Sequence, residues 1–130
     1  MNVVAHGIDM VECSRIAESI ERHGERFLNR VFTLAERDYC NVRKRCIEHL
    51  AGRFAAKEAV MKLLGTGWAK GVTWTDIEVR NETTGQPRIH LTGISKQLAD
   101  EMGFTEILIS ISHVSSHAIA SAIASTNQEQ

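Results

Sequence analysis

Along the 130 residues the spacing of apolar positions changes several times, and each change marks an element. Residues 3–11 are apolar at nearly every position, which predicts a strand covered on both faces, with Asp9 at its carboxyl end and His6 as a satisfied structural histidine. Ile16 and Ile20 predict a helix over 14–23, and Gly24 is placed to break or bend it before Phe27 and Val31. Thr33-Leu34-Ala35-Glu36 has the form of a capping box and opens a short helix over 34–42. A basic connector, Arg43-Lys44-Arg45, leads into a long helix from about Ile47 to Gly65. That helix is rich in strong helix formers, free of Pro, and ends on a glycine at the C′ position. Residues 74–80 read as a strand with Ile77 and Val79 inward, 81–87 as a turn, and 88–91 as the returning strand. A helix over 93–102 carries Ile94, Leu98 and Met102. Ile107, Ile109 and Ile111 alternate along a strand over 106–113, and the alanines of 118–124 form its closely packing hairpin partner. This order gives an α+β fold: a single compact domain over 1–125 with antiparallel strands and a long central helix, then a polar, frayed tail over 126–130.

On the long helix, Leu50, Phe54, Met61 and Leu64 share an apolar stripe, with Lys57 close to it and without an evident role. Ala51, Ala55, Glu58 and Lys62 share a neighbouring face, where two charges stand one turn apart beside small side chains. On its own that face is either an exposed ion pair or the seat of a large charged ligand. The net charge of −1 is unevenly laid out: residues 13–57 carry +4, which favours an anionic ligand or acidic partner over bulk nucleic-acid binding. The apolar start is too short for a secretory signal, and no apolar run approaches membrane length. Three cysteines without a C-x-x-C argue against a disulfide framework, so a cytoplasmic setting is expected.

Asp9 is either a turn or capping residue or one half of a carboxylate pair with Glu58, and such a pair suits Mg²⁺ completed by substrate phosphates. Lys62 is placed to meet such a phosphate, with Arg53, Lys44 and Arg45 upstream and Ser112 and His113 at a strand end. Arg15 and Arg22 share a face, which Arg26 and Arg30 would extend, as either solvated charge or a dock for an acidic helix. No P-loop or G-x-G-x-x-G follows a strand. His113 and His117 flank a turn without the companions a zinc site needs, and no cysteine has a base-and-orienter arrangement.

Gly7-Ile8-Asp9-Met10-Val11-Glu12 resembles the G-I-D-x-V-E opening of the holo-[acyl-carrier-protein] synthases, the small phosphopantetheinyl transferases. Residues Arg53-Phe54-Ala55-Ala56-Lys57-Glu58-Ala59, with Lys62 and Gly65-Thr66-Gly67, are similar to that family's R-F-A-A-K-E-A-x-x-K-x-x-G-T-G signature. Ser110-Ile111-Ser112-His113 resembles its S-I-S-H element. The resemblance implies a 4′-phosphopantetheinyl transferase-like fold. It also implies transfer of 4′-phosphopantetheine from coenzyme A to a serine of apo-acyl-carrier protein, in fatty acid biosynthesis, with adenosine 3′,5′-bisphosphate released. By the same likeness Asp9 and Glu58 hold Mg²⁺, Glu58 takes the serine proton directly or through water, and Lys62 neutralises the pyrophosphate. Arg53, Gly65, His113, Lys44 and Pro87 would contact coenzyme A, His113 at the 3′-phosphate and 85–87 at adenine, although Gln86 stands where relatives often have Lys. Arg15, Arg22 and Arg26 would dock the carrier protein, and a homotrimer with active sites between subunits is implied. The rival readings are a non-catalytic coenzyme A-binding scaffold, which the presence of Asp9, Glu58 and Lys62 disfavours, and a Mg²⁺-dependent phosphoester hydrolase, which would not need the arginine face.

Overall fold

In the computed structural model, which describes residues 1–65 and 71–127, one long helix lies across one face of a three-stranded antiparallel sheet. The order is β1 (Asn2–Glu12), α1 (Cys13–His23), α2 (Glu25–Val31), α3 (Leu34–Asn41), α4 (Cys46–Leu64), β2 (Ile77–Asn81), β3 (Pro87–Leu91), α5 (Gly93–Glu101), β4 (Glu106–His113) and β5 (His117–Thr126). The sheet runs β1-β5-β4, and β2 and β3 form a separate hairpin. Gly24, at φ 51 and ψ −127, separates α1 from α2, and Gly65, left-handed at φ 74, ends α4.

The alternation in β5 explains how α4 is seated. Ala118, Ala120, Ala122 and Ala124 are all buried, and so are Ala51, Ala55 and Ala59 of the helix. Gly7 of β1 lets the backbones close still further: a Cβ there would stand 2.1 Å from the carbonyl oxygen of Ala59. The small-residue face of α4 is therefore filled by the sheet, and a large ligand cannot lie along it.

The opposite face of the sheet departs from expectation. Val4, Ile8 and Met10 of β1, Leu108 of β4, and Ile119 and Ile123 of β5 are exposed, and His6 is exposed rather than a buried structural residue. β1 is an edge strand covered on the α4 side only, because its inward positions are the small Ala5 and Gly7, then Asp9 and Val11. Two boundaries also move. Trp74–Asp76 is a 3₁₀ turn and not strand, and β5 runs through Ser125 and Thr126, both buried, with Thr126 paired to Asn2. The polar tail thus begins at Asn127. In α5 the buried positions are Ser95, Leu98 and Ala99, while Ile94 and Met102 face outward.

Lys57 receives its role here. Its fully buried Nζ lies 2.7 Å from Oε1 of Glu36 and donates to the carbonyls of Trp74 (3.0 Å) and Ile77 (2.6 Å). Glu36 caps α3 as its sequence predicts, with Oε1 accepting from the Thr33 amide, and its Oε2 accepts from the Val79 amide. Burial pulls the Lys57 ammonium below the ordinary lysine range, and Glu36 opposes that pull. With Nζ and the carboxylate 2.7 Å apart, the pair locks α3, α4 and the start of β2 together.

Candidate active site

Asp9 lies within β1, three residues before its end, and the residue preceding α1 is Glu12, which makes no side-chain cap. The capping alternative for Asp9 is thereby removed. Because Gly7 draws β1 onto α4, Asp9 meets the two helix charges that follow Ala55 at three and seven residues. Lys62 Nζ donates to Asp9 Oδ1 at 3.2 Å and to the Ile8 carbonyl at 2.8 Å. Glu58 is in hydrogen-bonding contact with Asp9, and its carboxyl is pushed up to about 6. Burial is the main cause, followed by the charge and hydrogen bond of Asp9, with Lys62 and then Arg15 acting against them. Arg15 of α1 therefore reaches the same neighbourhood.

Two partly shielded carboxylates share one exposed lysine, and the Asp9 charge adds to burial in raising Glu58. A hard divalent cation fits such a donor pair, with oxygen ligands completed by water and phosphate. Among the described residues no group of three His, Cys, Asp or Glu side chains could hold a metal, so the set is unlike a closed zinc site.

A second feature lies on another side of α4. Arg53 and Glu58 are five residues apart, about 140° around the helix axis. Arg53, only 4% exposed, donates to Oδ1 of Asn81 and lies 4.1 Å over the ring of Tyr39, whose ring Arg43 also covers at 3.4 Å. Its Nε is buried with no hydrogen-bond partner. Arg53, His113, His49, Tyr39, Asn81 and Pro87 line a pocket of 170 Å³. His113 Nδ1 meets Oε1 of Glu48 at 2.8 Å. The pocket can take a compact anion, because its charged lining is basic.

The structure thus joins Asp9, Glu58, Lys62 and Arg15 in one place, and Arg53, His113 and Pro87 in another. Lys44 is exposed in the turn before α4 and does not line the pocket. Gly65 is exposed just beyond Lys62, while Thr66 and Gly67 lie outside the described residues. The arginine surface is split: Arg15 and Arg22 stand on α1, while Arg26 and Arg30 flank Phe27 and His23 around a 170 Å³ groove at α2. Sequence reasoning missed Tyr39, His49, Asn81 and Glu48. Asn81, first in a predicted turn, and Glu48, one helical turn and one residue before Arg53, carried weak signals; Tyr39 and His49 carried none. Cys40 is buried and its thiol is pushed up to about 11, chiefly by burial, which disqualifies it as a nucleophile.

Comparison with known proteins gives a consistent picture. The sequence profile of the 4′-phosphopantetheinyl transferase superfamily matches residues 5–122. The holo-[acyl-carrier-protein] synthase of Koribacter versatilis is 46% identical over 121 residues, 93% of this chain and 97% of that one. The crystal structure of holo-[acyl-carrier-protein] synthase from Neisseria meningitidis superposes with a TM-score of 0.87 at 26% identity, covering 96% of this chain and all of that one. The Helicobacter pylori synthase in complex with coenzyme A superposes at 0.81 with 32% identity, covering 92% and 99%.

Proposed function

The chain belongs to the 4′-phosphopantetheinyl transferase superfamily, and from that premise we infer that it transfers 4′-phosphopantetheine from coenzyme A to a serine of apo-acyl-carrier protein. The products are holo-carrier protein and adenosine 3′,5′-bisphosphate, and the carrier is that of fatty acid biosynthesis. The observation that carries the site assignment is the Asp9–Glu58 pair with Lys62 laid against it.

In this reading Asp9 and Glu58 hold Mg²⁺. When bound, the ion would offset the charge of the coenzyme A pyrophosphate. Glu58, poised near 6 before metal binds, accepts the serine proton directly or through a water. The serine oxygen bonds to the pantetheine-side phosphorus, and that phosphorus releases the bridging oxygen with its electron pair. Lys62, whose side chain is 56% exposed, leaves Asp9 to neutralise the departing phosphate. Positioning and charge do most of the work in such a displacement.

We assign the Arg53 pocket to the 3′-phosphoadenosine end of coenzyme A, with Arg53 and His113 at phosphate and Pro87 beside adenine; Lys44 and Gly65 are secondary candidates. Arg15, Arg22 and Arg26 take the acidic carrier protein, Arg15 nearest the carboxylates. Two features support a homotrimer. The outer sheet face is apolar and open, and the two halves of the site face different sides of α4, as a ligand shared between subunits would require. Three free cysteines accord with a cytoplasmic setting. The test is to incubate the protein with coenzyme A, Mg²⁺ and apo-carrier protein and weigh the carrier. A gain of one phosphopantetheine is expected, and no gain across several carriers would refute the transferase reading.

A further inference from the structure

His113 ends β4 and lines the Arg53 pocket. Its Nδ1 is 2.8 Å from Oε1 of Glu48, a residue in the first turn of α4 whose side chain is 12% exposed. An ionised carboxylate only accepts, so Nδ1 carries a proton and Nε2 is the ring's remaining polar atom. His49 packs edge-on against His113 with ring centres 5.1 Å apart. Burial first, then His113, Arg43 and Arg53, hold His49 below the ordinary histidine range, so it stays neutral at pH 7. Of the two rings, His113 is the one in contact with a carboxylate.

The surrounding charges agree. Arg53 and Arg43 stack on Tyr39 at the pocket wall, and Arg45 lies 3.9 Å from the other oxygen of Glu48. Cys13, near Glu48 on α1, is kept a neutral thiol mainly by burial. Every charged group at the pocket is thus basic except Glu48, which is turned onto His113.

We propose that Glu48 is a positioning residue for the transfer reaction: it fixes the His113 ring so that Nε2 presents a proton to the phosphate on the ribose of coenzyme A. This rests on the function inferred above. The pyrophosphate belongs with Asp9, Glu58 and Lys62, about 140° around α4, so the phosphate that enters this pocket is the ribose one. A carboxylate behind a ligating histidine fixes its orientation, here toward an anion instead of a metal. Recognition of that phosphate then draws on a ring that Glu48 holds in place.

Calorimetric titration of coenzyme A and of 3′-dephospho-coenzyme A separates this role from a structural one. The wild-type protein is expected to prefer coenzyme A. In Glu48→Gln that preference should fall about tenfold, while 3′-dephospho-coenzyme A binds as before. An unchanged preference in Glu48→Gln would overturn the proposal, as would equal loss of both ligands. If the wild-type protein bound neither ligand, the inferred function itself would fall, and this role with it.

Discussion

The ammonium of Lys57 has three N–H donors and meets three acceptors: Glu36 and the carbonyls of Trp74 and Ile77. Lys57→Met leaves Glu36 charged and unpaired in the interior. We expect a loss of about 3–5 kcal/mol in urea unfolding, part of it recovered when Glu36→Gln is added. Its neighbour Glu58 behaves in the opposite way. Its folded carboxyl is raised from 4.5 to about 6, so the stability it contributes is present below 4.5 and lost as pH rises through 6. Glu58→Gln should therefore be more stable than wild type in thermal unfolding at pH 7.5 without metal, by up to about 1 kcal/mol after solvent screening, and the gap should close near pH 4.5. A neutral-pH stability below that of wild type would contradict the crowded-carboxylate picture. Helical spacing put Glu58 and Lys62 on one face and Lys57 beside the apolar stripe, but it gave Lys57 no partner. The partners of Lys57 lie 17 to 21 residues away and leave no local trace.

At the scale of elements, the close seating of α4 on β1 and β5 brings the reacting groups together. Gly7→Ala places a methyl 2.1 Å from a backbone oxygen, where no rotamer can relieve it. Strand and helix must part, at a cost of about 3 kcal/mol or more by chemical denaturation, and Asp9 retreats from Glu58. A stable, fully active Gly7→Ala protein would show that the approach is unnecessary. The elements themselves were largely legible: the Thr33–Glu36 capping box, the Gly65 stop and the alternation of β4 each acted through neighbours in sequence. Trp74 was misread as strand because its aromatic character fits a β pattern, whereas its carbonyl is held in a 3₁₀ turn by Lys57. The Arg53 pocket was legible only in part. Tyr39, Asn81 and Glu48 come to it from three elements, and tertiary packing alone assembles them.

At the scale of the molecule, the row of apolar residues in β1 predicted two covered faces, yet the chain covers one. Ile8, Met10, Ile119 and Ile123 remain open, and copies of the chain are the occupants expected by the trimer proposal. Ile119→Glu should shift sedimentation from trimer to monomer and lower transfer at dilute protein, with each subunit still folded; a monomeric, fully active wild type would contradict it. Whether the Asp9–Glu58 pair is the transfer centre is read from the mass of the carrier protein. With coenzyme A and Mg²⁺, wild-type protein should add one phosphopantetheine to apo-carrier protein, whereas folded Asp9→Asn and Glu58→Gln should slow the addition by at least about a hundredfold. Addition at the wild-type rate by either variant would contradict the account.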